Sequence, residues 1–299
     1  MISFTSTTIF YLSLAFFINL LYSFLIAARF SNLLTYFQER MSILHSFYVF
    51  CISKCGALIT PFLAGSLLTK PLACKHYGNI PLPKGLFLTL LEQVLDFGIL
   101  IILLPILLLF LGTYFFALYL QIFFILFLLA FVLFVLIKHE LFITFIWKFK
   151  NFVPKILLKF GKKRGITQEN TSESLKQIKE SLTNKRFLLS LIPYIFIQII
   201  LMPFVLYFVV KAFSFNLGYS QIFLTYWAST ALGKISGLPG GFGSTDLTMG
   251  GLLFLFRIGT LEATSIILAF RIITLAPALI IGGYLTFYLS ALYSLKKIK

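Results

Sequence analysis

Few side chains in this sequence are placed to do chemistry, and they cluster in two places. The first is Gly237-Leu-Pro-Gly-Gly-Phe-Gly-Ser-Thr-Asp246, a glycine-rich break that carries a carboxylate inside apolar sequence, with Lys234 just before it and Arg271 in the middle of the next apolar run. An intramembrane ionisable residue is costly and by default marks a functional site. A guanidinium offers five donors in a planar fork suited to phosphate. The turn Gly240-Gly241-Phe-Gly243 reads as the start of a helix, where free N–H groups and close backbone approach suit a phosphate or carboxylate. Ser244 or Thr245 is the expected cap of that helix. Asp246 either pairs with Arg271 or Lys234 and gates the anion site, or simply satisfies the helix dipole. Lys234 is a second candidate phosphate contact.

The second place is Glu92 and Asp96, one helical turn apart and so on one face. Two carboxylates there repel unless protonated or paired with a cation. They either bind a proton, a cation or a basic headgroup, or pair with Lys54, Lys70 or Arg271 and hold the protein together. No group reads as catalytic: there is no activated nucleophile, and no His, Cys and carboxylate spacing resembles a metal site. Cys51, Cys55 and Cys74 read as small apolar residues. No cofactor is expected.

These residues sit in a chain of 299 residues that is 60% hydrophobic and 11% charged, more apolar surface than a soluble domain can hide. The expected fold class is therefore an all-α polytopic membrane protein. The formal charge of +16 does not point to nucleic acid, because 12 of the 25 basic residues lie between Lys138 and Arg186, flanking membrane segments. That is the positive-inside pattern, with an attraction to anionic headgroups. The segment before Arg29 lacks a basic n-region and is about long enough to span, so a retained first span is expected.

Spanning helices are predicted at about 8–28, 86–111, 113–137, 187–211 and 261–292. Two further apolar regions are broken by Gly, Pro and Lys: 46–69 and 219–257. Both read as re-entrant helical hairpins. With the loop 138–186 and the Lys-rich C-terminus cytoplasmic, the hairpins enter from opposite faces. Each half, 1–137 and 187–299, then reads span, hairpin, span, giving one integral domain built as an inverted repeat, a transporter design. One or both broken regions crossing outright is the alternative. The loop reads as basic amphipathic helices lying on the cytoplasmic surface, and Trp147 and Trp227 as interfacial residues.

The block Pro239-Gly-Gly-Phe-Gly243-x-x-Asp246 and the later Arg271-Ile-Ile-Thr resemble the flippase-like transmembrane family named after the lysylphosphatidylglycerol synthase membrane region. Thr60-Pro61-x-x-x-Gly65 with Lys70-Pro71 is similar to its first broken hairpin, and Glu92-Gln93-x-x-Asp96 to its acidic helix. Ser66, Gln93 and Asp246 replace the family's usual Glu, Arg and Glu. The sequence stops at Lys299, so the soluble aminoacyl-transferase activity of some members is not expected. The resemblance implies translocation of a lipid or lipid-linked substrate in the cell membrane. The expected function is a flippase for an anionic phospholipid or polyprenyl-phosphate lipid, with membrane lipids as partners and a homo-oligomer or membrane enzyme as a possible further one. The alternatives are a membrane enzyme acting on a lipid-linked substrate and a non-transporting regulatory subunit.

Overall fold

The computed structural model describes residues 6–60, 64–115 and 185–288, and every element among them is helical. The predicted surface helices of 138–186, Trp147, nearly all of the span 113–137 and the Lys-rich tail lie outside these residues. The chain divides into two compact units, Met1–Ile80 with Leu191–Lys299, and Pro81–Ser190.

The first unit opens with α1 (Ser6–Tyr36), followed by α2 (Ile43–Ile59) and α3 (Ala64–Gly78). It resumes along α5 (Lys185–Ala212) and continues through α6 (Tyr219–Ser236), α7 (Ser244–Leu255) and α8 (Thr260–Pro277). A π-helical turn, Ala278–Gly282, carries α8 on to Tyr288. The described part of the second unit is the first turns of α5, as far as Ser190, and α4 (Leu82–Phe115), a continuous helix that runs through Gly112, where the sequence suggested a boundary.

Among the described residues three helices are long and apolar enough to cross a bilayer: Ser6–Tyr36, Leu189–Ala212 and Thr260–Tyr288. Their packing fits a lipid solvent. On α1 the buried stripe Ala15, Asn19, Tyr22, Ala27, Phe30 and Leu34 recurs at helical spacing, while Phe10 and Phe17 face outward. Outward apolar side chains on this scale belong to a lipid-facing surface.

The two broken regions fold as helical hairpins. In the first, His45 and Tyr48 lie against Tyr77 (ring centroids 5.4 and 5.8 Å apart), so the start of α2 sits beside the end of α3. Near the bend the two helices touch at backbone level. A Cβ on Gly65 would run into the Gly56 carbonyl, and one on Gly56 would come within 2.6 Å of Thr69 Oγ1. The second hairpin repeats the device. A Cβ on Gly233 would strike Thr245 Oγ1, and Ser236 Oγ and Ser244 Oγ are 2.7 Å apart. At 12 residues, α7 rises only about 18 Å, against roughly 30 Å for a hydrocarbon core.

Prolines inside helices organise the packing between them. Proline has no N–H, so it strands the carbonyl four residues earlier. Pro203 strands Ile199 O, and Trp227 Nε1 donates to that oxygen at 3.1 Å, with Tyr219 Oη on the next carbonyl, Ile200 O, at 3.0 Å. Trp227 is buried, 4% exposed. It is a cross-helix donor, a role the sequence did not suggest for it; the stranded carbonyl needed a donor that lipid cannot supply.

Arg29 also departs from expectation. It does not end the first span, because α1 continues to Tyr36 and Arg29 is 2% exposed. Its Nη1 donates to Gln198 Oε1 at 2.9 Å, and Gln198 Nε2 donates to Tyr22 Oη at 3.2 Å. A polar partner on α5 lets the guanidinium lie inside the unit, where lipid alone would have forced it to a helix end.

Candidate functional site

The glycine-rich segment forms the bend between α6 and α7. Gly237 ends α6 in the left-handed conformation (φ 67°), and a short 3-10 turn, Pro239–Gly241, follows. Gly240 (φ 58°) and Gly243 (φ 82°) both adopt backbone angles that side chains resist, so the bend needs glycine there. Gly241 N donates to Leu238 O, Phe242 N to Pro239 O and Gly243 N to Asp246 Oδ2, at 2.9, 3.0 and 3.0 Å. The N–H groups of these three residues are therefore committed within the bend, which leaves side chains and the first turn of α7 as the donors open to a ligand.

The cap of α7 differs from expectation. Gly243 holds the N-cap position, and Asp246 accepts from its backbone N–H. Ser244 Oγ meets Ser236 Oγ and donates to Gly241 O at 3.4 Å, while Thr245 packs on Gly233. The two hydroxyls fasten the hairpin because the glycine bend brings α6 too close for them to turn back onto their own helix.

Asp246 both caps a helix and pairs with a cation. One oxygen caps α7, and the other accepts from Arg271 Nε at 2.8 Å. Arg271 Nη1 donates to Gly240 O at 3.4 Å, and the guanidinium carbon lies 4.9 Å from the Phe242 ring centroid. The third nitrogen, Nη2, is buried and has no hydrogen-bond partner among the described residues. The side chains of Arg271 and Asp246 are 17% and 27% exposed. A buried guanidinium donor without an acceptor costs about 1–3 kcal/mol or more. Such an exception, beside a carboxylate, a carbonyl and a ring, leaves one guanidinium donor open to a further acceptor.

α8 brings a second cation to this neighbourhood. Pro277 strands Ile273 O, which accepts from Asn19 Nδ2 at 2.9 Å. At the π turn Ala278 N bonds Leu275 O, which leaves Thr274 O outside the helix ladder. Lys54 Nζ donates to that oxygen at 2.8 Å. Lys54 thus engages a carbonyl in place of the carboxylate partner expected from sequence, and lies close enough to Arg271 for their charges to repel. Leu58, one turn beyond Lys54, packs against Gly240. The end of α2 therefore meets the bend of the second hairpin beside Arg271.

The other expected residues lie elsewhere. Lys234 stands on the last turn of α6, where a cation suits the helix dipole. Lys70 is buried, with Nζ 3.8 Å from the Phe30 ring centroid. Glu92 (buried) and Asp96 (half-buried) stand one turn apart on α4, in the other unit. Sequence reasoning did not single out Asn19, Phe242, Gln198 or Thr274. Pro277 and Pro203 were the available signal, since each implies a carbonyl in search of a donor.

Residues 3–282 match the family described as the lysylphosphatidylglycerol synthase TM region. The chain belongs to that family. No curated protein matches the chain. Membership of the lysylphosphatidylglycerol synthase TM-region family agrees with the long apolar helices in making this a membrane protein, and it points to a lipid-related role.

Proposed function

We propose that this member of the family moves an anionic lipid, a phospholipid or a polyprenyl-phosphate carrier, between the leaflets of the cell membrane. The observation that carries the reading is the buried, partnerless Nη2 of Arg271 at the meeting point of two helical hairpins. A phosphate oxygen there would complete the guanidinium's hydrogen bonds, with Lys234 and the first turn of α7 adding positive potential. The acyl chains would stay in lipid, so no wide pore is needed. In this reading the hairpins dip from opposite faces as halves of an inverted repeat, with 138–186 and the C-terminus cytoplasmic. Glu92 and Asp96 would couple the cycle by protonation. The short α7 and the family membership support the arrangement.

The test is leaflet exchange in proteoliposomes. Labelled phosphatidylglycerol is expected to exchange faster than in protein-free vesicles, and faster than labelled phosphatidylcholine. Protein-free rates for every anionic lipid tried, polyprenyl phosphate included, would contradict the reading.

A further inference from the structure

The Arg271 site has a neighbour whose charge the fold does not require. The π turn of α8 and Pro277 leave two successive carbonyls, Ile273 O and Thr274 O, outside the helix ladder. The first is satisfied by a neutral amide, Asn19 Nδ2, from α1. The second takes an ammonium, Lys54 Nζ, from α2. Two adjacent carbonyls pose one problem, and a neutral donor solves it without bringing a full charge into an apolar region. A charge there costs several kcal/mol. The lysine must therefore do something an amide cannot.

Its placement says what. Cys51, Lys54 and Leu58 lie on one stripe of α2. Cys51 O abuts Gly282, Lys54 Nζ holds Thr274 O, and Leu58 meets Gly240. Arg271 and Thr274 lie on one stripe of α8, one turn apart. The ammonium is thus held at a carbonyl one helical turn along α8 from Arg271, and the same stripe of α2 meets the second hairpin's bend at Gly240. Lys54 and Arg271 feel each other's charge, and Asp246 is the carboxylate bonded to Arg271. These three side chains sum to one positive charge. A neutral carbonyl offers the ammonium no opposite charge, so an anionic phosphate oxygen holds it more strongly. Lysine's four-carbon stem also lets the charge swing.

We propose that Lys54 is a second headgroup-binding residue, whose ammonium exchanges the Thr274 carbonyl for the phosphate oxygen of a phosphodiester lipid of net negative charge held by Arg271 Nη2. This rests on the reading of Arg271 as the anion site, and it adds the class of headgroup and a contact from the other hairpin. The carbonyl is the resting acceptor that keeps the ammonium satisfied between substrates.

The test is equilibrium binding of fluorescent phosphatidylglycerol to the purified full chain in detergent, with phosphatidylcholine and inorganic phosphate as competitors. Lys54→Gln keeps an N–H donor for Thr274 O and removes the charge. It is expected to weaken phosphatidylglycerol binding about tenfold and to leave phosphatidylcholine binding unchanged. Lys54→Arg is expected to restore most of the affinity. Thermal melting in the same detergent separates folding from binding. If Lys54 only pins α2 to α8, Lys54→Gln lowers the melting temperature, leaves anionic selectivity intact, and overturns the proposal. Weakened binding in Arg271→Gln alongside unchanged binding in Lys54→Gln overturns the Lys54 role while leaving the Arg271 site standing. Unchanged binding in Arg271→Gln overturns the site itself. Displacement by inorganic phosphate at the concentration effective for the lipid assigns the site to free phosphate and overturns the headgroup assignment.

Discussion

Arg271 makes three different contacts at once: a carboxylate at Nε, a backbone carbonyl at Nη1 and an aromatic face beneath its plane. Each is compatible with a fourth partner at Nη2, and only Asp246 competes for the charge itself. Asp246→Asn separates these roles. Asparagine still caps a helix, so α7 keeps its start while the ion pair is lost. The variant is expected to be about 1–3 kcal/mol less stable, because a partly buried guanidinium loses its counter-charge. It is also expected to bind anionic lipid several-fold more tightly. Thermal melting and lipid titration check both. Weaker lipid binding would mean that Asp246 belongs to the binding apparatus and is no competitor. At this scale the Arg271–Asp246 pair was legible, since the apolar runs around each leave few polar partners. The ammonium–carbonyl contact of Lys54 was not, because a π turn changes which carbonyls are free and leaves no mark in hydrophobic periodicity.

The hairpins depend on close backbone approach. Gly65 touches the Gly56 carbonyl, and a methyl group there has no flexible neighbour to displace. Gly65→Ala is expected to cost about 1–3 kcal/mol, the range for overpacking. Gly251, on α7, has nothing within 4 Å of a built Cβ. Gly251→Ala should therefore be neutral or slightly stabilising, since alanine favours a helix. Thermal melting of both proteins compares them directly. Equal melting temperatures would show that the α2–α3 contact is loose. Both hairpins were legible as clusters of Gly and Pro inside apolar runs. The end of α1 was misread at Arg29, and the cross-helix bond of Trp227 was not foreseen. Both turn on a partner on α5, Gln198 or the Ile199 carbonyl stranded by Pro203, that apolar periodicity does not mark.

At the scale of the molecule, the account needs the two hairpins to enter from opposite faces. Arg40 and Asn79 flank the first hairpin; Asn216 and Thr260 flank the second; all four are exposed. Single cysteines at these positions, in a background lacking Cys51, Cys55 and Cys74, are expected to label from the cytoplasmic side for the first pair and from the opposite side for the second. A pair split between the two sides would show that its hairpin crosses the membrane. Composition made the membrane class plain, because so apolar a chain has no other solvent. The order of spans and hairpins rested on charge counts in loops, which set sides without fixing helix ends.

The claim on which everything turns is that the Arg271 guanidinium receives a lipid phosphate during transfer. Leaflet exchange of phosphatidylglycerol by Arg271→Gln, measured beside the native chain at equal protein per vesicle, tests it most directly. The account predicts that the variant folds and reconstitutes but exchanges the lipid at the protein-free rate, with Arg271→Lys between the two. Exchange by Arg271→Gln as fast as by the native chain would contradict it.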